Sequence, residues 1–253
     1  MVLGTGHVED LDLAGQEYPG SALNCSDDLG PEWNLDGDLP APIDVTMVDP
    51  GGVTCDEDPS LIGTGDCSNS LQAQWDAAPN NGSTAFDYTE MRFTVEVPPT
   101  VISVAYDFAF LSTEYPYYWG SPYNDMYVGW LESRNWTGNI SFDQQGNPIS
   151  LNAGFLEYRD VPNPNAGTWG YEVDPDCDEP NECVSPELHN TCMQYRAGTG
   201  WLTTKMGVEE GEEITMVFAV FDLSDPILDS YVFLDNFRWD CIPQNVPDTE
   251  PIE

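Results

Sequence analysis

Hydrophobic and polar residues alternate in several short segments of the chain from Phe86 onwards. The segment 91–98, MRFTVEVP, alternates strictly, and every second residue of 102–110 is apolar. Alternation with a period of two predicts half-buried β-strands. Further strands are predicted at 126–132, 139–143, 213–222 and 230–240. The apolar face predicted within 101–110 consists of Ile102, Val104, Tyr106, Phe108 and Phe110.

One segment has a different pattern. The run ITMVFAVF at 214–221 is apolar at nearly every position, which indicates a central strand buried on both faces. The chain has 21 prolines, and it lacks long segments with helical periodicity. These features predict an all-β fold, an antiparallel, jelly-roll-like β-sandwich with long loops stapled by disulfides.

Composition divides the chain into three parts. Residues 1–85 are rich in Gly, Pro, Asp and Asn, and we expect them to pack on the same sandwich. Residues 86–242 contain the predicted strands, with an insertion at 160–200 that shows no periodicity. A loop of that length is usually functional or cross-linked. Residues 243–253 are rich in proline and acids and predict a linker.

Charge limits the possible partners. The chain has 6 basic and 45 acidic residues, a formal net charge of −39. Binding to nucleic acid or to an anionic membrane requires basic side chains, so both are excluded as partners. The favoured partners are cations, above all Ca²⁺, which takes several oxygen ligands. An acidic surface can also serve solubility alone.

The cysteines indicate an oxidising compartment. They lie in segments typical of loops, where disulfides are expected. Cys55 and Cys67 are predicted to close a short loop, two of the three cysteines in the insertion are expected to pair, and Cys25 or the remaining one is expected to join Cys241. The count is odd, so one thiol stays free or pairs with another chain. The seven are Cys25, Cys55, Cys67, Cys177, Cys183, Cys192 and Cys241.

Two further observations bear on location and zinc. The spacing of Cys177, Cys183, His189 and Cys192 matches no usual zinc pattern. No stretch is apolar enough to span a membrane, and the first residues lack the basic and apolar regions of a signal peptide. We therefore expect a mature extracellular or cell-surface chain, exported by a signal peptide that has been removed.

The candidate site lies in the segment FLSTEYPYYWGSPYNDMY at 110–127. Its acidic and amide side chains, together with three later aspartates, offer the oxygens that Ca²⁺ requires. Turn capping by Asx hydrogen bonds and catalysis by carboxylates are the alternatives. The predicted metal ligands are Glu114, Asn124, Asp125, Asp222, Asp225 and Asp229. A weaker candidate, Asp174, Asp176 and Asp178, lacks the glycine of an EF-hand loop.

The same loop is unusually aromatic. Flat rings at the edge of a sandwich can stack on sugars or on a protein partner, and they can equally fill a small core of the loop itself. The residues of this predicted binding surface are Tyr115, Tyr117, Tyr118, Trp119 and Tyr123.

Two blocks, FAFLSTEYPYYWGSPYNDMYVGWL at 108–131 and FAVFDLSDPILDSYVFLDNFRW at 218–239, resemble the bacterial choice-of-anchor L domain. The resemblance implies a secreted or surface β-domain that is tethered by one of several C-terminal anchors. It implies no established catalytic activity.

Together these observations predict a non-catalytic binding or assembly module, stabilised by calcium, that displays an aromatic loop for adhesion. Its expected partners are a protein or carbohydrate at the cell surface, or copies of itself. Two alternatives remain at this point. One is a self-polymerising subunit of an extracellular filament or coat. The other is a carboxylate glycoside hydrolase or carbohydrate-binding domain, although the two histidines, His7 and His189, lie in no catalytic motif.

Overall fold

The computed structural model describes residues 1–6, 8, 38–43, 71–77, 84–160, 177, 183–189 and 191–252. Within these residues the chain forms one short helix, α1, twelve β-strands and a 3-10 turn at Pro186–Leu188. The elements are β1 (Val2–Gly4), α1 (Gln72–Ala77), β2 (Ala85–Glu96), β3 (Ser103–Ser112), β4 (Met126–Glu132), β5 (Thr137–Asn139), β6 (Ile149–Ser150), β7 (Leu156–Arg159), β8 (Ala197–Thr199), β9 (Leu202–Gly207), β10 (Glu213–Leu223), β11 (Ser230–Asp240) and β12 (Asp248–Pro251).

The strands form two antiparallel sheets, so the predicted all-β sandwich is confirmed. The larger sheet has seven strands in the order β1–β11–β3, after which β3 pairs with both β8 and β9. Strand β7 extends the sheet beyond β8, and β12 extends it beyond β9. The smaller sheet has five strands in the order β2–β10–β4, with β5 and β6 both paired to β4. In the part of the chain that the structure describes, no helix is long and apolar enough to cross a membrane.

The main core lies between the sheets. It is built from alternate residues of β3, including Tyr106, Phe108 and Phe110, which pack against β4 and β10. The Tyr106 ring contacts Phe218 at 4.7 Å between centroids, and Phe108 contacts Tyr127 at the same distance. These contacts follow from the alternation in the sequence, since residues i and i+2 of a strand share a face.

One residue of the predicted core face differs. Ile102 is 38% exposed, because β3 begins only at Ser103 and Ile102 belongs to the connection that follows Pro98–Thr100. Its backbone still continues the sheet: the Ile102 N–H donates to the Asp240 carbonyl and its own carbonyl accepts from Val208.

A second apolar cluster covers the outer face of the smaller sheet. Leu39, Ile43 and Leu71 pack there against residues of β4 and β10 such as Trp130 and Val217. This cover explains why β10 is buried on both faces, as its continuous apolar run predicts.

Two segments differ from their predictions. Of 139–143, only Asn139 belongs to a strand, because Asp143 accepts N–H bonds from Gln145 and Asn147 and closes a turn. Within the predicted linker 243–253, the residues Asp248–Pro251 form β12 and pair with β9. The sequence DTEP has no apolar alternation; the strand is fixed by its backbone pairing and by the Thr249 hydroxyl, which lies 2.8 Å from that of Thr204.

The cysteines are paired differently from one expectation. Cys177 and Cys183 form a disulfide, as predicted for two cysteines of the insertion. Cys192 is also disulfide-bonded, so the insertion has no thiol left for Cys241. The predicted Cys241 disulfide is therefore wrong: its thiol is free and exposed and donates to the Thr100 carbonyl at 3.4 Å. Cys25, Cys55 and Cys67 lie outside the described residues.

The packing predicts the cost of truncating the core. Phe108 is fully buried between the sheets, so Phe108→Ala should lower the free energy of unfolding by about 3–5 kcal/mol. Urea denaturation measures this loss. The control Ile242→Ala, at a side chain that is 65% exposed, should change stability by less than about 0.5 kcal/mol. Equal effects at the two positions would contradict the assigned core.

Candidate functional site

Two loops meet at one end of the sandwich. Strand β3 leads into the aromatic loop, 113–125, and β11 follows the acidic turn, 224–229. Ser112 at the end of β3 lies opposite Ser230 at the start of β11. Thr113 locks the junction, because its N–H and its hydroxyl both donate to the Asp229 carbonyl at 3.0 Å. The pairing of these two strands therefore brings together acids that are about a hundred residues apart in the sequence.

The predicted ligands are mostly buried. Glu114, Asp125 and Asp222 are 3%, 2% and 1% exposed, and Asn124 and Asp229 are also buried. Asp225 is half-buried at the margin of the cluster, where its carboxylate accepts the N–H of Ile227. We refer to these six side chains as the acidic cluster.

Hydrogen bonds tie part of the cluster together. The Asp125 N–H donates to Glu114 Oε2 at 3.1 Å, and the Ser230 hydroxyl donates to Asp125 Oδ2 at 2.6 Å. The Tyr231 hydroxyl donates to Asp229 Oδ2 at 3.4 Å. These bonds hold Glu114 and Asp125 in fixed positions on either side of the aromatic loop.

Residues near the N-terminus also contact the site, which the sequence did not predict. Thr5 and Ser230 exchange two bonds: the Thr5 N–H donates to the Ser230 carbonyl at 3.0 Å, and the Ser230 N–H donates to the Thr5 hydroxyl at 2.9 Å. Gly6 follows, and a Cβ there would lie 2.0 Å from Asp229 Oδ2. Any larger residue at position 6 would displace that carboxylate.

Several polar atoms of the cluster have no partner. Both carboxylate oxygens of Asp222 and the Oδ1 atom of Asn124 are buried without a hydrogen bond. Buried polar groups are almost always hydrogen-bonded in native proteins, and each exception requires an explanation such as an ion. Asp222 is the clearest case, because both of its oxygens are buried and it lies beside Asp125, near enough to lower the pKa of that carboxyl. Two adjacent buried carboxylates are costly unless a proton or a cation neutralises them.

Burial also changes the acidity of the cluster. It raises the pKa of Glu114, Asp125 and Asp222 well above their ordinary values, and it raises that of Asp225. The charge of Asp125 raises the pKa of Glu114 and of Asp222 further. The Thr5 hydroxyl lies near Asp222 and opposes this rise in pKa, but it is not in hydrogen-bonding geometry with either oxygen.

The oxygen ligands of the cluster suit a hard cation, although their side chains do not converge on a single metal position. Carboxylates and an amide oxygen are the ligands that Ca²⁺ takes. Within the described residues, however, no group of three or more His, Cys, Asp or Glu side chains is gathered closely enough to hold a metal ion. A cation would therefore have to draw mutually repelling carboxylates together. The weaker candidate, Asp174, Asp176 and Asp178, lies outside the described residues.

The same burial bears on catalysis. A glycosidase needs two carboxyl groups that flank a substrate bond. Glu114 and Asp125 are both buried, so a glycan does not reach them in this arrangement.

The aromatic loop packs largely against the protein itself. Tyr115 is fully buried, so its prediction as part of an exposed binding surface is wrong. Its hydroxyl donates to Cys177 Sγ at 3.1 Å, and its carbonyl accepts from Arg196 at 3.3 Å. Tyr118 and Trp119 pack against the small core that surrounds the Cys177–Cys183 disulfide.

The remaining rings of the loop are partly accessible. Tyr117, Tyr118, Trp119 and Tyr123 are half-buried. The Arg196 guanidinium lies 5.8 Å from the centre of the Tyr117 ring, and Tyr118 meets Tyr123 edge to face at 5.9 Å. These contacts match the alternative that the rings fill a small core of the loop, and they leave one face of several rings at the surface.

Comparison with known proteins identifies the family. A sequence model of the choice-of-anchor L domain matches residues 57–238, which is more than half of the chain. No curated protein and no solved structure matches the chain. The matched range includes β2 to β10 and most of β11, and with them every residue of the acidic cluster. The chain therefore belongs to the choice-of-anchor L domain family, a family of surface-associated modules.

Proposed function

We propose that this chain is a non-catalytic, extracellular module of the cell surface whose aromatic loop is held in shape by a Ca²⁺ ion for adhesion. The ligands would come from the acidic cluster: Glu114, Asn124, Asp125, Asp222, Asp225 and Asp229. Family membership supports the surface association. The calcium site rests on one observation, the two buried and unpartnered oxygens of Asp222.

The physical argument concerns uncompensated charge. Asp222 lies close enough to Asp125, Asp229 and Glu114 for each of these charges to raise its pKa. Such a group has two ways to lower its free energy: it takes up a proton, or it binds a cation. A cation can take several oxygens at once, and Asn124 Oδ1, which is buried without a hydrogen bond, would be one of them. A proton on one carboxyl provides a single O–H donor.

The chemistry of the ligands favours Ca²⁺ over other metals. The cluster offers oxygen ligands alone, which disfavours zinc and copper. The ligands come from two loops and from a strand end, so their arrangement is not regular. Ca²⁺ accepts six to eight oxygens in irregular arrangements, whereas Mg²⁺ demands a compact octahedron and keeps its waters.

An ion at this position would link two connections of the sandwich, the aromatic loop and the acidic turn. The half-buried rings of Tyr117, Trp119 and Tyr123 would then be presented in one fixed arrangement. Rigid aromatic side chains bind sugars and protein surfaces at little entropic cost. A protein or carbohydrate at the cell surface is the expected partner.

Calcium should stabilise the folded state. At a hundred times the dissociation constant, an ion that binds only the folded chain adds about 2.7 kcal/mol, or roughly 5–10 °C in melting temperature. Asp222→Asn should abolish this shift, and so should the double change Glu114→Gln with Asp125→Asn. Differential scanning fluorimetry with Ca²⁺, Mg²⁺ or EDTA measures it, and Mg²⁺ should produce a smaller shift.

The matched control is Asp235→Asn. Asp235 is exposed and accepts the N–H of Asn236, a bond that an asparagine oxygen preserves, so this variant should keep the full calcium shift. If EDTA leaves the melting temperature of the unmodified protein unchanged, the acids are protonated groups or turn caps. A shift that survives Asp222→Asn would move the ion to another site, such as Asp174, Asp176 and Asp178.

Without calcium, stability should fall as the pH rises. The folded state holds protons on Glu114, Asp125 and Asp222 more tightly than the unfolded chain does, because their pKa values are raised. Stability is therefore greatest below the ordinary pKa of a carboxyl, about 4, and is lost as the pH rises towards the raised values. Urea denaturation in EDTA at a series of pH values tests this trend. Saturating Ca²⁺ should abolish it, because the ion replaces the protons; a fall of equal size in Asp222→Asn would assign the trend to other groups.

A further inference from the structure

Strand β2 forms a long edge of the smaller sheet. It pairs with β10 along its length, and within the described residues no strand pairs with its other side. Asp87 has a φ of 48° and interrupts the ladder near the start of the strand. From Thr89 to Glu96 the strand is regular and contains neither proline nor glycine. Natural edge strands are protected by proline, by charged side chains or by bulges. β2 has its bulge only near its start, and the charges at its centre, Glu90 and Arg92, are of opposite sign.

The inner face of β2 is incompletely covered. Met91, Phe93 and Val95 face the main core but are only half-buried. Phe218, the residue opposite Met91 on β10, is almost fully buried. At this side of the sandwich, Phe93 meets Phe237 of β11 at 5.2 Å, and Phe237 is 37% exposed. A strand added beside β2 would bury this apolar row further.

On the outer face of β2, opposite charges stand on the two sides of Met91. Glu90 and Arg92 flank that residue, and their side chains form an ion pair of 2.7 Å. The Tyr88 hydroxyl donates to the same Glu90 oxygen at 2.6 Å. Arg92 is exposed, and it is one of only six basic residues in a chain of net charge −39.

We propose that β2 is the contact between two copies of this chain, paired antiparallel about a two-fold axis at Met91. In this register, Glu90 of each copy lies opposite Arg92 of the other. Met91 faces its own counterpart, and Phe93 faces Thr89. Two five-stranded sheets then join into one continuous sheet of ten strands, and Met91 and Phe93 lose their exposure to water.

The charges select this register among its neighbours. A two-fold axis at Glu90 would place the two Glu90 side chains opposite each other, and an axis at Arg92 would do the same for arginine. Like charges directly opposite are unfavourable in a sheet, whereas opposite charges contribute favourably. A shift by an odd number of residues would place the inner-face side chains of one copy, such as Met91, on the same side as the outer-face charges of the other.

This contact produces a dimer and does not extend into a filament. An isologous interface uses the same surface on both copies and therefore ends at a dimer. The charged residues that it uses, Glu90 and Arg92, are not members of the acidic cluster. The cluster residue that pairs with β2 is Asp222 of β10, which lies opposite Phe86, on the far side of the register shift from Glu90 and Arg92. The pairing proposed for β2 is thus independent of the calcium site.

Charge-reversal variants test the pairing, because single reversals should weaken the dimer and the double reversal should restore it. The unmodified protein should form dimers as its concentration rises, in moderate salt that screens long-range repulsion. Arg92→Glu or Glu90→Arg should each raise the dimer dissociation constant about ten-fold or more, because two favourable pairs become two repulsive ones. The double variant Glu90→Arg with Arg92→Glu should restore the dimer, since each charge again meets its opposite. Sedimentation velocity measures all four proteins.

Two further measurements complete the test. An equimolar mixture of the two single variants should form heterodimers, because one presents only acids and the other only bases. Lys205→Glu is the matched control: it changes the charge by the same amount as Arg92→Glu, at an exposed ion pair with Glu250 on the other sheet, and it should leave the dimer intact. Circular dichroism verifies that every variant is folded. The proposal fails if the unmodified protein stays monomeric, if Arg92→Glu dimerises as well as the control, or if the folded double variant remains monomeric.

Discussion

The antiparallel pairing of β3 with β11 is the constraint on which the site depends. Phe108 lies opposite Leu234, and Phe110 lies opposite Val232, and all four side chains belong to the main core. A slip of one residue would turn each of them out of the core, so burial of these side chains fixes the register. The same register places Ser112 opposite Ser230, and it thereby brings the aromatic loop against the acidic turn. The core thus determines the position of the carboxylates.

Two different sets of contacts hold the aromatic loop in place. On one side, Tyr115 is buried and bonds to the Cys177–Cys183 disulfide, and Arg196 binds its carbonyl. On the other side, the Asp125 N–H donates to Glu114, and the Ser230 hydroxyl donates to the Asp125 carboxylate. The contacts around Tyr115 consist of neutral packing and the Arg196 side chain, so their strength does not depend on a bound metal. The contacts around Glu114 and Asp125 bury several acids close together, so their strength depends on whether protons or a cation neutralise these carboxylates.

Much of the sandwich could be predicted from alternation alone. β4 and β11 match their predicted bounds, and β10 extends one residue further. β4, β10 and the first half of β11 bury most of their apolar side chains. Alternation does not report backbone pairing by polar residues, so β12 was not predicted. The six candidate ligands could be selected because carboxylates and amides are conspicuous in turn-rich segments; their role in binding an ion stays a prediction. Thr5 and Gly6 could not, because their role depends on a contact with Ser230 that is 225 residues away in the sequence. The burial of Tyr115 was likewise not visible, since an aromatic ring suits a core and a surface equally well.

The short C-terminal strand has a mechanical consequence. β12 is held by four residue pairs to β9 and by the hydroxyls of Thr249 and Thr204, whereas β2 and β10 are joined along almost the whole length of both strands. A tensile force that enters through the C-terminal end of the described chain meets β12 first and loads few hydrogen bonds. Strand β12 then detaches while the two sheets stay packed together. A module of this design, pulled from that end, would give way at an outer strand of the larger sheet and keep its acidic cluster and aromatic loop intact under load.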